Sequence, residues 1–370
     1  MKRIRILQIG KYYYPYNGGT ESHLFTLTQE LKKTFDIQIL ASNTKFRTSV
    51  EKHEGVGVFR IASLGSFFSV PLSWSMPFWL KKVNAEILHF HLPNPLSVIS
   101  YFLSQPRGKI IVSYHSDIVK QRFLAFLFNP LLIKFLKKAE AIIVTSDNLI
   151  KNSLILKQFR DKCRIIPHGI DVDRFQSDKN VLDKAEEIRQ KYGTPLILFV
   201  GRLVYYKGLE YLLKAMQDIE ARLLVVGGGP LKNKLKRLAV RYGVSDKITW
   251  VGELRDEELV CYYYACDVFV LPSNIRSESF GIVQLEAFAC GKPVVSTNLP
   301  TGVPFVNLHH QTGLIVPPSS SQALAYAINK LLVSPELRKI YGENGKERVR
   351  KEFNKEKMAE EVLRVYKEII

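Results

Sequence analysis

The sequence is poor in cysteine and has no long uninterrupted hydrophobic run, and both absences exclude classes of protein. Its four cysteines are Cys163, Cys261, Cys266 and Cys290. They show neither a CxxC spacing nor a histidine partner at metal-ligand spacing, so reduced thiols of a cytosolic protein are expected and no metal site is predicted. The most apolar window, residues 66–80, is interrupted by two prolines and is too short to span a bilayer.

Common nucleotide and nucleic-acid motifs are also missing. Residues 227–230 read Gly-Gly-Gly-Pro, but no Lys-Ser/Thr pair follows, as a Walker loop requires, and the G-x-G-x-x-G pattern is absent. No helix-turn-helix, zinc finger or RNP motif accompanies the net charge of +18. That charge is concentrated in residues 1–180, which hold 26 Lys and Arg against 13 Asp and Glu. An anionic membrane surface is therefore favoured over nucleic acid as a partner.

What the sequence does contain is typical of a globular α/β protein with two domains. It has 370 residues, of which 46% are hydrophobic and 24% charged. Short apolar segments that predict strands alternate with helical patterns; the strands are expected at residues 4–10, 37–41, 87–91, 110–114, 141–145, 196–200 and 223–226. Residues 1–10 are too short and, with Lys2, Arg3 and Arg5, too charged for a signal peptide. This rhythm predicts parallel sheets that bind ligands at the carboxyl ends of their strands.

Three groups of residues stand at such strand ends. Gly18 and Gly19 form a glycine loop between the first strand and a helix predicted at residues 21–33; an ordinary turn explains them equally well. His115 follows the strand at residues 110–114, although a single histidine is more often structural than functional. Arg202 and Lys207 follow the strand at residues 196–200, where two solvated surface cations are the commoner explanation.

Residues 276–295, RSESFGIVQLEAFACGKPVV, carry two glutamates eight positions apart, Glu278 and Glu286. Residues 280–289 are apolar at helical spacing, and a glycine and a proline follow as a stop signal. Gly281 would then lie near a helix N-terminus, which favours a phosphate. Eight helical residues rise about 12 Å, roughly the span from a sugar to the ribose across a pyrophosphate. The alternative is an amphipathic helix with two solvated glutamates.

The segment from Pro272 to Val295 resembles the donor-site signature of retaining GT-B glycosyltransferases of family 4, in which E-x7-E precedes A-x-A-x-G-x-P-V. Residues 201–208, GRLVYYKG, are similar to the family's G-R-L-x-x-x-K-G. Residues 164–175 resemble its N-G-[VI]-D segment, with His168 where Asn is commoner. The resemblance implies two Rossmann-like domains facing a cleft, at residues 1–177 and 178–352, with a C-terminal helix at 353–370 that crosses back to the first.

The resemblance also implies roles for single residues. Arg202 and Lys207 bind the diphosphate and stabilise the charge that develops as the glycosidic bond breaks. Glu286 takes the ribose hydroxyls and Glu278 the sugar hydroxyls. The remaining implied donor contacts are the amides of Phe280, Gly281 and Ile282, the base-reading Gly252, the phosphate-facing Gly18 and Gly19, and His115 beside the sugar. Asp171-Val172-Asp173 spells a metal-binding D-x-D of another fold, but no metal or cofactor is expected in this one.

The implied reaction is transfer of a hexose from a nucleoside-diphosphate sugar to a hydroxyl, with retention at the anomeric carbon. After Thr297 the family's Gly-Gly and Glu are replaced by residues 298–306, NLPTGVPFV. The variant Pro304-Phe305-Val306-Asn307 resembles the corresponding segment of enzymes that use GDP-mannose or related GDP-deoxyhexoses. A GDP-mannose-like donor is therefore favoured, with UDP-sugars as the alternative. The residues leave open whether the acceptor hydroxyl attacks on the same face as the leaving phosphate, which is preferred, or whether Asp117 acts as a nucleophile.

Two apolar, basic segments of the first half bear on location. Residues 119–138 predict two short helices broken at Asn129-Pro130, either a buried pair or a surface that rests on lipid with Arg122 and Lys134 near headgroups. Residues 66–80 would extend that surface or belong to the core. A peripheral protein on the cytoplasmic face of the plasma membrane, with a polyprenyl-diphosphate-linked acceptor, is the preferred hypothesis. A nucleotide-sugar epimerase and a non-catalytic basic lipid- or nucleic-acid-binding protein are the alternatives.

Overall fold

A computed structural model describes residues 3–16, 18–67, 70–118 and 122–370. The chain divides into two compact units: unit 1 comprises residues 1–169 and 355–370, and unit 2 comprises residues 170–354. The predicted boundaries, after residues 177 and 352, fall eight residues and two residues away from these. The first differs because Ile170 and Phe175 pack in the core of unit 2, and the N–H of Ile170 donates to the carbonyl of Phe353 at 2.8 Å.

The described strands of unit 1 form an eight-stranded sheet in the order β10-β9-β8-β7-β1-β2-β4-β3. The strands, with a separate two-stranded hairpin β5–β6, are β1 Arg5–Ile9, β2 Asp36–Ser42, β3 Ser49–His53, β4 Val56–Ile61, β5 Ser66–Phe67, β6 Val70–Pro71, β7 Ile87–Leu92, β8 Lys109–Tyr114, β9 Ala141–Val144 and β10 Cys163–Ile165. All pairs in the large sheet are parallel except β3 with β4. Its central strands are buried on both faces, as their continuous apolar runs require.

The helices of unit 1 cover both faces of this sheet. They are α1 Gly19–Leu31, α2 Met76–Lys82, α3 Pro95–Ser104, α4 Arg122–Lys138 and α5 Asp147–Asn152. The prediction of two helices broken at Asn129-Pro130 is wrong, because α4 runs through Pro130 as one helix. The core contacts of Leu132, Phe135 and Leu136 hold its second half against the sheet, and packing of this kind overrides the local cost of a proline.

Unit 2 has a six-stranded sheet, parallel throughout, in the order β13-β12-β11-β14-β15-β16. The strands are β11 Leu196–Val200, β12 Arg222–Val226, β13 Ile248–Gly252, β14 Val268–Leu271, β15 Val294–Thr297 and β16 Gly313–Val316. The helices are α6 Lys179–Tyr192, α7 Leu209–Ala215, α8 Lys232–Arg241, α9 Asp256–Ala265, α10 Val283–Ala289, α11 Val303–Val306, α12 Ser321–Leu332 and α13 Pro335–Glu352. Two apolar clusters, one on each side of the sheet strands, form its core.

The last helix, α14 Lys355–Ile369, returns to unit 1 and packs against α1. Its apolar stripe of Met358, Val362, Val365 and Tyr366 is buried in the core cluster that contains α1 and one face of the sheet. Alternation of strands and helices in both units confirms the predicted α/β class with two Rossmann-like domains.

Candidate functional site

The strand order of unit 2 reverses between β11 and β14. From β11 the chain proceeds through β12 and β13 on one side, and through β14, β15 and β16 on the other. In open parallel sheets, ligands bind outside the carboxyl ends of the strands at such a reversal. The loops that follow β11 and β14 touch here, since the N–H of Asn274 donates to the carbonyl of Tyr206 at 3.0 Å.

A glycine makes this close approach of the two loops possible. Gly208 has φ +63°, and a Cβ on it would lie 2.1 Å from the carbonyl oxygen of Pro272. Any side chain at Gly208 would push the loop after β11 away from the loop after β14. The glycine therefore holds the two loops, and the ionisable groups they carry, at the switch point.

An ion pair joins the two loops. Nζ of Lys207 lies 2.7 Å from Oε2 of Glu278, and both side chains are 10% exposed. Oγ of Ser273 donates to the same carboxylate oxygen at 2.9 Å. Burial by itself disfavours the ammonium charge, but the Glu278 carboxylate outweighs it and the pKa of Lys207 is raised above its ordinary value. The ends of β11 and β14 thus carry a fixed cation at neutral pH.

Glu286 lies on α10 and accepts a hydrogen bond of 2.6 Å from the hydroxyl of the buried Tyr263. Burial raises the pKa of Glu286, and the Tyr263 hydrogen bond and the Lys207 cation partly offset that rise. Burial raises the pKa of Tyr263 well above its ordinary value, and the Glu286 carboxylate raises it further. Lys207 favours the ionised form of Glu286, and Glu286 in turn favours the charged form of Lys207.

The spacing estimate between the two glutamates is wrong. Helix α10 begins only at Val283, so Glu278 lies in the preceding loop, and a helical rise does not separate it from Glu286. Gly281 has φ +73°, a turn into the helix that a non-glycine residue would strain, and Ile282 is the residue before the first helical turn. The Phe280 side chain is 2% exposed and packs against Phe305 and Phe353, so a ligand meets only its backbone.

Arg202, in the loop after β11, and Gly252, the last residue of β13, both lie at the carboxyl edge of the sheet. Arg202 is exposed, and within the described residues its side chain has no hydrogen bond or ion pair. Burial and the Glu278 carboxylate raise the pKa of Tyr206, whereas the Lys207 and Arg202 cations act to lower it. Nζ of Lys207 lies 5.8 Å from the centroid of the Tyr206 ring. Gly252 ends β13 with φ +93°, and its carbonyl accepts from the N–H of Gly227 at 2.7 Å.

Residues 298–307, the segment that departs from the family pattern, contact the loop that carries Glu278. The N–H of Gly302 donates to the carbonyl of Ser279 at 2.7 Å, which ties the segment to the loop that carries Glu278. The amide nitrogen of Asn307 donates to Val294, Ser296 and Leu314, and Asn307 is fully buried. Asn307 therefore has a structural role. This segment would affect donor binding by determining the position of the loop that carries Glu278.

In unit 1, Gly18 caps α1 and Gly19 is its first residue. The carbonyl of Gly18 accepts from the N–H of Ser22 at 2.8 Å. A Cβ on Gly18 would lie 2.3 Å from a carboxylate oxygen of Glu21. Glu21, in the first turn of α1, therefore places a carboxylate beside the glycine loop that is predicted to face phosphates; Asn17 lies outside the described residues.

His115 follows β8 and is one of four histidines that the fold brings together. The others are His91 at the end of β7, His23 on α1 and His168 after β10; all four are buried. The Nδ1 atoms of His23 and His168 are 2.7 Å apart, and Nδ1 of His91 lies 3.1 Å from Nε2 of His115. Burial lowers the pKa of His115 to about 4 and holds the other three well below their ordinary value, so the rings are neutral at pH 7.

A network of hydrogen bonds connects His91 to polar side chains on β1, β7, β8 and α14. Gln8 on β1 accepts at Oε1 from Nε2 of His91 at 2.7 Å, and its amide nitrogen donates to the hydroxyl of Tyr366 at 2.9 Å. The same hydroxyl lies 2.6 Å from Nδ1 of His89, whose Nε2 contacts Oγ of Ser113 at 2.8 Å. Tyr366 belongs to α14, so the last helix contributes directly to the polar interior of unit 1.

Sequence reasoning missed several residues of both clusters. In unit 2 these are Ser273, Tyr206 and Tyr263; in unit 1 they are Gln8, His23, His89 and Tyr366. His91 contacts His115 and Gln8 and belongs to a buried network. The histidine cluster had one available signal: His91 lies near the carboxyl end of a parallel strand, His115 and His168 follow the ends of two others, and such positions converge on one edge of a sheet.

Exposed apolar side chains occur on three neighbouring helical regions of unit 1. Trp74 and Phe78 at α2 are 78% and 63% exposed, Leu103 on α3 is 72% exposed, and Phe126 and Leu127 on α4 are 73% and 60% exposed. Helix α3 contacts both α2 and α4. Lys81, Lys82, Lys134, Lys137 and Lys138 are exposed on the same helices. Phe68 and residues 119–121, together with the side chains of Phe67 and Arg122, lie outside the described part. Among the described helices, none is both long and apolar enough to cross a bilayer.

Two family models match the chain in consecutive halves. The model described as Glycosyltransferase Family 4 matches residues 17–174, and the one described as Glycosyl transferases group 1 matches residues 182–348. Together they include every residue singled out in unit 2 and, in unit 1, all of the cluster except Gln8 and Tyr366.

Similar proteins cover nearly the whole chain. O-antigen chain mannosyltransferase C of Escherichia coli is 32% identical over 367 residues, 98% of either chain. GDP-mannose-dependent alpha-(1-6)-phosphatidylinositol monomannoside mannosyltransferase of Mycolicibacterium smegmatis is 27% identical over 353 residues, 90% of either chain. Among solved structures, sucrose-phosphate synthase from Thermosynechococcus elongatus superimposes with a TM-score of 0.84 at 25% identity and 99% coverage of either chain.

Proposed function

Because this chain belongs to the family 4 glycosyltransferases of the GT-B fold, we propose that it transfers a hexosyl group, with retention, from a nucleoside-diphosphate sugar to a hydroxyl of a lipid-linked saccharide. The product would contribute to a bacterial surface polysaccharide, in line with the O-antigen mannosyltransferase that it resembles. Glycosyl transfer distinguishes this proposal from a nucleotide-sugar epimerase, which would convert the donor without an acceptor.

The observation that carries the proposal is the buried Lys207–Glu278 ion pair at the carboxyl ends of β11 and β14. A diphosphate that leaves a sugar gains negative charge, and a cation already fixed by a carboxylate meets that charge without reorganisation. The exposed Arg202 adds a second cation that would bind the phosphates of the donor. We therefore assign charge neutralisation to protein groups, and propose no metal at the diphosphate.

Glu278 and Glu286 are proposed to bind donor hydroxyls. Oε2 of Glu278 already accepts from Lys207 and Ser273, so a sugar hydroxyl would use its other oxygen. Glu286 is oriented by Tyr263 and would accept from the ribose. The backbone of Phe280, Gly281 and Ile282 lies between the two carboxylates in sequence and would meet the phosphates. The roles that the family resemblance gives to Gly18, Gly19, Gly252 and His115 stay predictions.

The favoured donor is GDP-mannose or a related GDP-deoxyhexose. Two relatives are named as mannosyltransferases, and one of them as dependent on GDP-mannose. The segment of residues 298–307, which departs from the commoner family pattern, supports the loop that carries Glu278. A different loop position would select a different sugar configuration, since a site that hydrogen-bonds a substrate hydroxyl discriminates strongly between epimers.

A same-face reaction is preferred over a covalent intermediate on Asp117. Oδ1 of Asp117 accepts hydrogen bonds from the hydroxyl of Tyr114 at 2.8 Å and from Ser153 at 2.7 Å. A carboxylate that accepts two hydroxyl hydrogen bonds is a weaker nucleophile and is held in one orientation. The acceptor hydroxyl is therefore proposed to give its proton to the departing phosphate oxygen on the face that it attacks.

We propose that the protein acts on the cytoplasmic face of the plasma membrane, on a polyprenyl-diphosphate-linked acceptor. The apolar side chains and lysines exposed on α2, α3 and α4 support this location. Apolar groups flanked by lysines are the combination that binds an anionic lipid surface reversibly.

A donor screen followed by product analysis tests the proposal. GDP, UDP and their mannose and glucose derivatives are added in thermal unfolding, where a ligand at a hundred times its Kd stabilises by about 2.7 kcal/mol. The stabilising donor is then incubated with a lipid-linked saccharide, with and without a chelator, and the anomeric configuration is read by NMR. We expect a glycosylated product in which the transferred sugar keeps the anomeric configuration that it has in the donor. An inverted product would overturn the retaining assignment, loss of turnover with the chelator would overturn metal independence, and conversion of the donor without an acceptor would favour an epimerase.

A further inference from the structure

Five of the chain's eight histidines lie in the interior of unit 1. His23, His115 and His168 each present a ring nitrogen, and these three nitrogens lie within 4.8 Å of one another. Imidazole nitrogens are the commonest protein ligands for borderline transition metals. We propose that His23, His115 and His168 form a binding site for a single divalent transition-metal ion, with Zn²⁺ and Co²⁺ as its preferred occupants.

The three ligands come from elements that the core holds in place. His23 lies on α1 next to Leu24 and one helical turn before Leu27, both of which are fully buried. His115 directly follows β8, and its N–H donates to the carbonyl of Leu92 at 2.9 Å. His168 lies in the segment after β10, where the next N–H, that of Gly169, contacts the sulfur of Met358 on α14. Ligands fixed on separate, well-packed elements lose little freedom when a metal binds.

The hydrogen bonds around His115 determine which of its nitrogens can bind a metal. Oε1 of Gln8 only accepts, so Nε2 of His91 carries a proton and Nδ1 of His91 carries the lone pair. Nε2 of His115, 3.1 Å away, must then donate to His91. A neutral imidazole has one proton, so Nδ1 of His115 holds the lone pair that a metal requires. Metal-bound histidines commonly donate their second N–H to a neighbour in this way.

His23 and His168 already share one hydrogen bond between their Nδ1 atoms, at 2.7 Å. A metal that replaces this proton would bind each nitrogen at about 2.0–2.1 Å, and a tetrahedral arrangement then separates the two nitrogens by about 3.3 Å. The Nδ1 atoms of His23 and His168 must therefore move apart by a fraction of an ångström, and the ring nitrogen of His115 must move closer to them. The ring whose Nδ1 donates this hydrogen bond must change tautomer, so that its proton lies on Nε2 and its Nδ1 can bind the metal. No proton is lost overall.

Three histidines leave one position of a tetrahedral ion open, as in metal sites that bind water or a substrate oxygen. Mg²⁺ is not expected there, because it prefers oxygen ligands and octahedral geometry. The three histidines belong to unit 1, whereas the Lys207–Glu278 ion pair belongs to unit 2, and the metal proposal does not depend on the donor assignment. His115 is also the residue predicted to touch the sugar, so a bound metal and the sugar would compete for it.

Metal uptake by the full chain, without an affinity tag, tests this proposal directly. Equilibrium dialysis with Zn²⁺ should give one tightly bound ion per chain, and Co²⁺ should give the intense visible absorption of a tetrahedral site. His23→Asn and His168→Asn should each abolish the tight binding. His91→Asn should weaken it by about 10- to 100-fold, the usual effect of removing a supporting hydrogen bond.

His310→Ala is the matched control. His309 and His310 also form a close histidine pair, with ring centroids 3.9 Å apart, but on the surface of unit 2. The control should keep the stoichiometry and the Co²⁺ spectrum of the wild type. Failure of the wild-type chain to take up Zn²⁺ or to give the Co²⁺ bands would overturn the proposal, a result that requires no variant to fold. Equal binding by folded His23→Asn and His168→Asn would overturn it as well.

Discussion

Nζ of Lys207 lies 2.7 Å from Oε2 of Glu278, and each side chain keeps only 10% of its surface exposed. Two opposite charges removed from water in this way depend on each other, because either one alone would be a buried uncompensated charge. The pair is therefore both a structural element of unit 2 and, in the proposed reaction, the cation that receives the leaving diphosphate. These two roles predict different responses to substitution.

Lys207→Met should lower the free energy of unfolding by about 3–5 kcal/mol, since it leaves Glu278 buried without its partner. The double variant Lys207→Met with Glu278→Gln should recover much of that loss while transfer stays abolished. Denaturant unfolding of the three proteins measures the first effect and donor turnover the second. Lys247→Met is the control, because its pair with Glu220 has the same 2.7 Å distance but leaves a carboxylate that is 90% exposed; it should cost at most about 1 kcal/mol. A double variant as unstable as the single one would contradict the ion-pair explanation.

Arg202→Ala should leave stability within about 0.5 kcal/mol of the wild type, as expected for an exposed side chain. Its effect should appear in kcat, which we expect to fall by about 10²–10³-fold because a charge that stabilises the transition state is lost. Steady-state kinetics with saturating donor measure it. Arg241→Ala on α8 removes another exposed arginine of unit 2 and should change neither quantity. A fully active Arg202→Ala enzyme would show that the diphosphate is bound elsewhere.

Tyr263→Phe removes only the hydroxyl that donates to Glu286 at 2.6 Å. This hydrogen bond lowers a Glu286 pKa that burial has raised, so the variant's Glu286 should hold its proton to a higher pH. Donor binding needs the carboxylate, and the acidic limb of the kcat/KM profile should therefore move to higher pH, with a larger KM for the donor. Tyr264→Phe, whose hydroxyl contacts a backbone carbonyl instead, should keep the wild-type profile. An unchanged acidic limb in Tyr263→Phe would separate Glu286 from donor binding.

The buried histidines predict a loss of stability in acid. Burial lowers the pKa of His115 to about 4 and that of His89 to about 3, whereas in the unfolded chain both titrate near 6.5. The unfolded state therefore binds more protons below pH 6.5. The contribution of these neutral histidines to the free energy of unfolding should be fully present above that pH. It should fall as the pH drops toward 4 and then 3, by up to about 1.4 kcal/mol per pH unit for each histidine.

Thermal unfolding between pH 7.5 and 5, with a chelator present, measures this loss. His168→Asn replaces one buried histidine with an amide that does not titrate, so its melting temperature should depend less steeply on pH than that of the wild type. A parallel dependence in the two proteins would mean that His168 does not resist protonation in the folded state.

Trp74→Ser combined with Phe78→Ser should reduce binding to vesicles that contain anionic lipid. These side chains are 78% and 63% exposed, so their removal takes apolar surface from the proposed membrane contact at little cost to stability. Vesicle flotation at low salt measures binding. Tyr326→Ser on α12 of unit 2 is the control, at 73% exposure, and should bind like the wild type. If the wild-type protein ignores anionic vesicles at low salt, the membrane assignment is wrong.

Much of the unit 2 site could be predicted from the sequence because its residues lie in short, contiguous motifs. Lys207 is separated from its strand by one loop, and Glu278 follows the next strand of the site by a similar distance, so a parallel sheet brings both to one edge. Helix α10 is the exception, since it begins three residues later than the apolar pattern suggests. The positive φ of Gly281 and the burial of Phe280 in the core explain the difference.

The sequence by itself determined the α/β class, the two repeats of strand and helix, and the motif residues of unit 2, because periodicity and spacing are local properties. Only the tertiary structure decided which side chains share a proton or a charge. Tyr366 and Gln8 are 358 positions apart and yet hydrogen-bonded, and His23 and His168 are separated by 145 positions. Such contacts depend on how helices α1 and α14 pack onto the sheet, which no local pattern encodes.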